Sequence, residues 1–142
     1  MDPRDFRTLA VVLVKPGAPA NNRTAIGRAY YAAFNVALNH LRAEGFQIKQ
    51  NNSAHEEVTR HLAWSNDADV QRAGSQIQDL RGKRNKADYK LTDPETDSDT
   101  AATFWVGKAH DCITMLDGAF QGTNKATIVQ DIKAKRKSIY GN

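Results

Sequence analysis

Apolar positions along this chain recur three and four apart, the spacing of one face of an α-helix, and nowhere sustain the period-two alternation of a strand. The cleanest case is Ala102, Val106, Ala109, Ile113, Leu116 and Phe120. Gly118 and Gly122 suit the end of that helix. Ile26, Tyr30, Ala33, Ala37 and Leu41 form a second stripe, widened by Phe34 and Leu38, with Ala29, Ala32 and Ala33 small enough for close helix approach. It is capped by Asn21 or Asn22 and ends at Gly45. Val58, Leu62 and Trp64 mark a third helix, opened by Ser53-Ala54-His55-Glu56, the spacing of a capping box. Phe6, Leu9, Ala10 and Leu13 follow helical spacing after the Asp2-Pro3 pair. Val11, Val12 and Val14 favour strand, but a lone strand would have no partner, so 2–14 reads as helix. Lys15–Ala20 (KPGAPA) and Asp93-Pro94 are breakers, and Asp97 or Asp99 caps the helix that follows the second. Ile128, Ile132 and Ile139 make a last stripe with a gap. The expectation is an all-α bundle of about five helices over residues 1–122, with a basic helical extension over 123–142.

One stripe is interrupted. Val70, Ala73, Ile77, Leu80 and Ala87 step by three, four, three and seven, and the missing step falls at Arg84. Asp88 lies four residues on, within reach on the same face, and Arg81 and Asn85 flank the pair. A charge on a core-facing position is costly unless it is paired or used. Either Arg84–Asp88 is a structural bridge at a helix end, or Arg84 faces a phosphate in a cleft.

Charge sharpens the picture. The chain has 142 residues and a net charge of +4. Residues 71–90 hold six cations against Asp79 and Asp88, whereas 91–100 hold Asp93, Glu95, Asp97 and Asp99 and no cation. Such neighbouring blocks attract each other, or one of them faces a partner. The tail, 123–142, has Lys125, Lys133, Lys135, Arg136 and Lys137 against Asp131 alone: a solvated helix packed on the bundle, or a nucleic-acid or partner surface. One cysteine, Cys112, allows no internal disulfide and suits a reducing cytoplasm. The longest strongly apolar run, Leu9–Val14, is too short to span a bilayer. His55 and His61 lack the spacing of paired ligands, and no cluster suggests zinc. Neither a metal nor a cofactor is expected.

Two motifs in order, RAYYAAF (28–34) and RNKADY (84–89), resemble the HEPN superfamily of small helical proteins. The nearest branch carries an Arg-Asn-x-Ala-Asp-Tyr signature. The resemblance spans about Asp5 to Phe120. It implies a helical bundle, a homodimer that sets the two motif helices face to face, and RNA as partner. For many members it also implies metal-independent ribonuclease activity, often as a toxin paired with a minimal nucleotidyltransferase antitoxin or as part of a defence system. The usual motif sets a His four to six residues after the Arg; here that window holds Tyr89 and no His. Arg84, Asp88 and Tyr89 are the candidate catalytic residues, and Arg81, Asn85, Lys86 and Arg28 the candidate substrate-binding ones; Arg81 is taken from the basic run, while Arg84 and Asn85 match the start of the family motif and the resemblance carries over Arg28 and Asp88. It also carries the expectation that Asp88 is held by Arg28, Arg84 or both.

Two functions of different class follow. In an RNA-cleaving protein, Arg84 supplies the cation for the pentavalent phosphate and Asn85 holds a nearby oxygen. Asp88 accepts the 2′-hydroxyl proton and Tyr89 positions an oxygen, since a phenol near its ordinary pKa of about 10 is a poor base. His110, one position past the stripe of its helix, is a minor candidate for the missing His. In a non-catalytic module the same residues bind nucleic acid or a nucleotidyltransferase. The absent His favours the module; the basic face favours RNA contact in both.

Overall fold

The computed structural model describes residues 1–141. They form six α-helices and no strand: α1 (Arg4–Leu13), α2 (Pro19–Ala43), α3 (Ala54–Ala63), α4 (Ala68–Tyr89), α5 (Asp99–Gln121) and α6 (Lys125–Tyr140), with a 3-10 turn at Pro94–Thr96 between α4 and α5. The long α2 is the centre of the bundle and packs against α1, α4 and α5. Its inward stripe is buried from Ile26 through Leu41, and the alanines between let the neighbours approach. The expected stripes of α4 and α5 are buried throughout, the arrangement that helical amphipathicity demands. The Cys112 thiol lies inside, donating to the Ala73 carbonyl at 3.5 Å; burial pushes its pKa up to about 12, so it is no nucleophile. The basic α6 is joined to the bundle through Ile128 and Ile132, both buried. Among the described residues no helix is long and apolar enough to cross a membrane.

Several local expectations give way to stronger local physics. The second helix starts at Pro19, whose fixed φ suits a first turn. Asn22 is therefore inside the helix and fully buried. Its amide accepts from the Lys15 N–H and donates to the carbonyls of Lys15 and Asp97, each at 2.9 Å, tying three segments together. The Ser53 box does not close: Ser53 makes no side-chain cap, and Glu56 pairs instead with Arg81 at 2.9 Å. Ser98, not Asp97 or Asp99, caps α5, accepting from the Ala101 N–H at 3.0 Å. Asp97 is drawn away by Arg23, whose Nε donates to it at 2.6 Å. On α1, Phe6, Ala10 and Leu13 face the bundle while Leu9 is exposed, and on α6 the stripe ends before Ile139, which is also exposed.

The acidic segment after α4 is bound to the basic run before it. Lys83 and Lys86 both reach Glu95, and these lysines hold the Glu95 carboxyl down to about 2. Arg23, nearly buried, donates to the carbonyls of Lys86, Ala87 and Lys90 at 2.9–3.2 Å, and to those of Leu91 and Asp93 beyond the helix. A cation placed at the carbonyl end of a helix satisfies its orphan acceptors and its dipole together. The end of α4, with Arg84 in it, is thereby fixed against α2.

Candidate functional site

The basic run on α4 divides into two i,i+3 pairs that face different ways. Lys83 and Lys86 face Glu95. Arg81 and Arg84 face a hollow of about 430 Å³ beside the N-terminus of α3. Rings of Tyr30, Tyr31, Phe34 and His55 line it with the two guanidiniums, and the loop 50–52 adds a glutamine and two asparagines. α2 supplies Tyr30, Tyr31 and Phe34 because 30 and 34 lie one turn apart on its inward stripe. Gly27, one turn earlier, faces α4: a Cβ placed there would stand at ordinary contact distance, 3.6 Å from Arg84 Cγ and 3.8 Å from Asp88 Oδ1.

Arg84 sits where the apolar stripe breaks, and its side chain is only 17% exposed. Its guanidinium carbon lies 5.1 Å from the Tyr30 ring centroid and 5.6 Å from that of Tyr31. Its nearest carboxylate, Asp88, is 3.8 Å away, outside hydrogen-bond range. Buried Nε has no partner at all. Aromatic faces offset part of the cost of a buried cation but accept no strong hydrogen bond from this donor. Arg81 does have a partner, Glu56, and lies half-exposed at the mouth.

His55 completes the site. Its Nδ1 is 2.9 Å from the Tyr30 hydroxyl, and its ring stacks on Phe34 with centroids 6.2 Å apart. Burial, reinforced by Arg81 and Arg84 and opposed by Glu56, lowers its pKa to about 4; the ring is neutral at pH 7. Burial raises the Tyr30 hydroxyl above its ordinary range although both arginines oppose it, so the phenol stays protonated. No sequence spacing links His55 to Arg84, because the two come from different helices. The remaining clue, Tyr30 in the RAYYAAF stretch, reads as a core residue, and its ring is one.

The other residues picked out by the sequence fall as follows. Arg28 lies over Tyr31 at 4.7 Å and Phe6 at 5.4 Å from the ring centroids. It shares Tyr31 with Arg84 and makes no ion pair with Asp88 among the described residues. Asp88, Asn85 and Tyr89 are exposed, with Tyr89 at 74%, and none of the three lines the hollow. Lys86 is engaged by Glu95, on another face of the helix. His110 is exposed on α5 and does not border the hollow; the histidine beside Arg84 is His55. No group of three or more metal-ligating side chains occurs among the described residues. Comparison with family models, with curated proteins and with solved structures finds no match for this chain.

Proposed function

We propose that this chain is an RNA-binding protein of HEPN type, in which the hollow between α2, α3 and α4 receives a phosphate of the RNA backbone. The observation that carries the reading is Arg84: a cation mostly buried at a core-facing position, its Nε unpartnered and its carboxylate neighbour out of hydrogen-bonding range. An arginine held that way gains most from an oxyanion it can grip with two donors. Arg81 stands one turn away on the same hollow, and the asparagines at 51 and 52 add neutral donors. The stretches that resemble the HEPN superfamily contribute Tyr30, Tyr31 and Phe34 (RAYYAAF) and Arg84 (RNKADY) to the lining of the hollow. The resemblance adds a homodimer and, as a partner, a minimal nucleotidyltransferase of a toxin–antitoxin or defence pair.

Ribonuclease activity is the reaction this site would perform. The RNA 2′-oxygen would attack the adjacent phosphorus while a base takes its proton. The 5′-oxygen would leave with a proton from an acid, giving a 2′,3′-cyclic phosphate, and Arg84 would stabilise the charge on the pentavalent phosphorus. His55 is the side chain placed to exchange these protons, with Tyr30 fixing its ring. Its low pKa makes it a weak base and leaves little imidazolium at pH 7 to serve as acid. That observation favours the second reading, a non-catalytic module that binds RNA through the same hollow.

The test is incubation of the purified protein with single-stranded RNA in the presence of a chelator. Cleavage that stops when the 2′-hydroxyl is replaced by hydrogen, and that Arg84→Ala abolishes, supports the ribonuclease. Binding weakened by Arg84→Ala, without cleavage by the native protein, supports the module. Binding and cleavage both unchanged in Arg84→Ala would remove the hollow from either account.

A further inference from the structure

A second basic surface lies on the far side of the loop that borders the hollow. The connection from α2 to α3 runs from Glu44 to Ser53. Its later part, 50–52, lines the hollow. Its earlier part, Gly45–Lys49, lines two hollows against α6 that share Gly45, Phe46, Gln47 and Arg136 and are taken together as one trough; their cations are Arg42, Lys49, Lys133, Arg136 and Lys137. Two of these are built into the wall. Arg42 donates from Nε to the Ile48 carbonyl at 3.0 Å. Arg136 donates to His61 Nε2 at 2.7 Å, and His61 in turn donates from Nδ1 to the Glu57 carbonyl. Both guanidiniums keep further donors. Lys49, Lys133 and Lys137 have no carboxylate partner among the described residues, and all three are exposed. The nearest acid in sequence, Glu44, is taken by Lys125 at 3.1 Å. The trough therefore has five cations and no acid among its lining residues.

We infer that this trough is a second backbone-binding subsite, which takes the strand leaving the hollow and follows its phosphates along α6. The inference rests on the reading of the hollow as a phosphate site and extends it to a ligand several nucleotides long. Two observations select a single-stranded nucleic acid over an acidic protein. The charge is of one sign along a groove, as a repeating anion requires. One of the two segments that carry the cations, Arg42 to Lys49, runs directly into the part of the loop that lines the hollow. Reach is sufficient: from Gly45 to Asn52 the loop can extend at most about 25 Å, about seven nucleotides at a stacked rise of about 3.4 Å each. A dinucleotide fills the hollow alone, and a ten-nucleotide strand reaches both sites.

The experiment compares 2′-O-methyl oligouridylates of two and ten nucleotides, which cannot be cut through the 2′-oxygen, by fluorescence anisotropy over a salt series. The native protein is expected to bind the ten-mer at least about tenfold more tightly than the dimer, because the second contact is made intramolecularly. Lys49→Ala/Lys133→Ala/Lys137→Ala alters exposed side chains only, and circular dichroism checks its fold. This variant should keep dimer affinity within about twofold, lose the gain for the ten-mer, and reduce the salt slope by about 2, three phosphates at about 0.7 each. A ten-mer affinity unchanged in the triple variant overturns the trough. So does displacement of the ten-mer by polyglutamate as readily as by unlabelled oligonucleotide, which would make the occupant an acidic protein. The two sites fail separately: if Arg84→Ala keeps dimer binding, the hollow falls, while the trough stands if the triple variant still loses the ten-mer. A native protein that binds neither oligomer overturns both.

Discussion

The Tyr30 hydroxyl and His55 Nδ1 meet at 2.9 Å, joining the middle of α2 to the first turn of α3 directly beside Arg84. This contact holds a neutral imidazole next to two guanidiniums. Its first consequence is a pH dependence. His55 has a pKa of about 4 in the folded chain against an ordinary value of 6.5, so the unfolded chain takes up the proton first as pH falls. Stability from this group is complete above pH 6.5 and is lost between 6.5 and about 4, by roughly 3 kcal/mol. His61, lowered mainly by burial, acts with the same sign. Thermal melts across this window should show the midpoint falling, and His55→Gln should flatten the slope. Inorganic phosphate in the hollow should raise the His55 pKa, read by NMR titration, because an anion offsets the field of Arg81 and Arg84.

Asp88 gives the opposite expectation from a desolvated partner. Its side chain is 40% exposed and 3.8 Å from Arg84, and Arg28 lies elsewhere. Asp88→Asn should therefore cost about 0–1 kcal/mol, the range of an exposed pair, and not the roughly 3–5 kcal/mol of a buried one. Chemical denaturation measures the difference. A large loss would mean that Arg84 depends on Asp88 for its position.

Gly27 separates stability from ligand access. A methyl group there meets Arg84 and Asp88 at ordinary contact distance. Gly27→Ala should stabilise α2 by about 0.5–1 kcal/mol, the helix preference for alanine, and leave phosphate binding intact. Gly27→Leu should press on the Arg84 stem and weaken binding. The denaturation midpoint and oligonucleotide affinity read the two effects independently.

Far from the hollow, Asp117 joins three helices. It accepts from Arg4 on α1, with Nε at 3.1 Å, and pairs with His40 Nε2 on α2 at 2.7 Å. Burial pushes its carboxyl up, but the bonds from Arg4 and His40 outweigh this and hold it below the ordinary range. The contribution is present above the unfolded carboxylate pKa, near 3.8, and is lost as pH falls through the lower folded value. Asp117→Asn should cost about 1–3 kcal/mol at pH 7, between an exposed and a buried pair. An unchanged melting point would show that α1 is held by Phe6, Ala10 and Leu13 alone.

The helical stripes were legible in the sequence because burial acts on a fixed period. Val70 to Ala87 and Ala102 to Phe120 face inward as their spacing requires, and the interruption at Arg84 marks the cation that faces the hollow. The caps at Asn22, Ser53 and Asp97 were not legible. Each of these side chains has a local option and a distant one, and only the folded chain brings Lys15, Arg81 or Arg23 near enough to decide. The same holds for His55: it joins Arg84 across a helix contact that leaves no trace in residue spacing. The split of the basic run also needs the acidic segment in place, since Lys83 and Lys86 differ from Arg81 and Arg84 only in what they meet.

Arg23 has a consequence for motion. Its one guanidinium holds carbonyls from Lys86 to Asp93, so the last turn of α4 and the segment after it are clasped from a residue more than sixty positions earlier in the chain. Such a clasp opens as a unit. Amide hydrogens at the end of α4 and in the turn at Pro94–Thr96 should exchange with solvent deuterium in one cooperative step, slower than those of the exposed first turn of α6. In Arg23→Gln that step should become faster and the end of α4 should fray toward Arg84, so that the precision of the site is governed by an opening equilibrium one helical turn away from it.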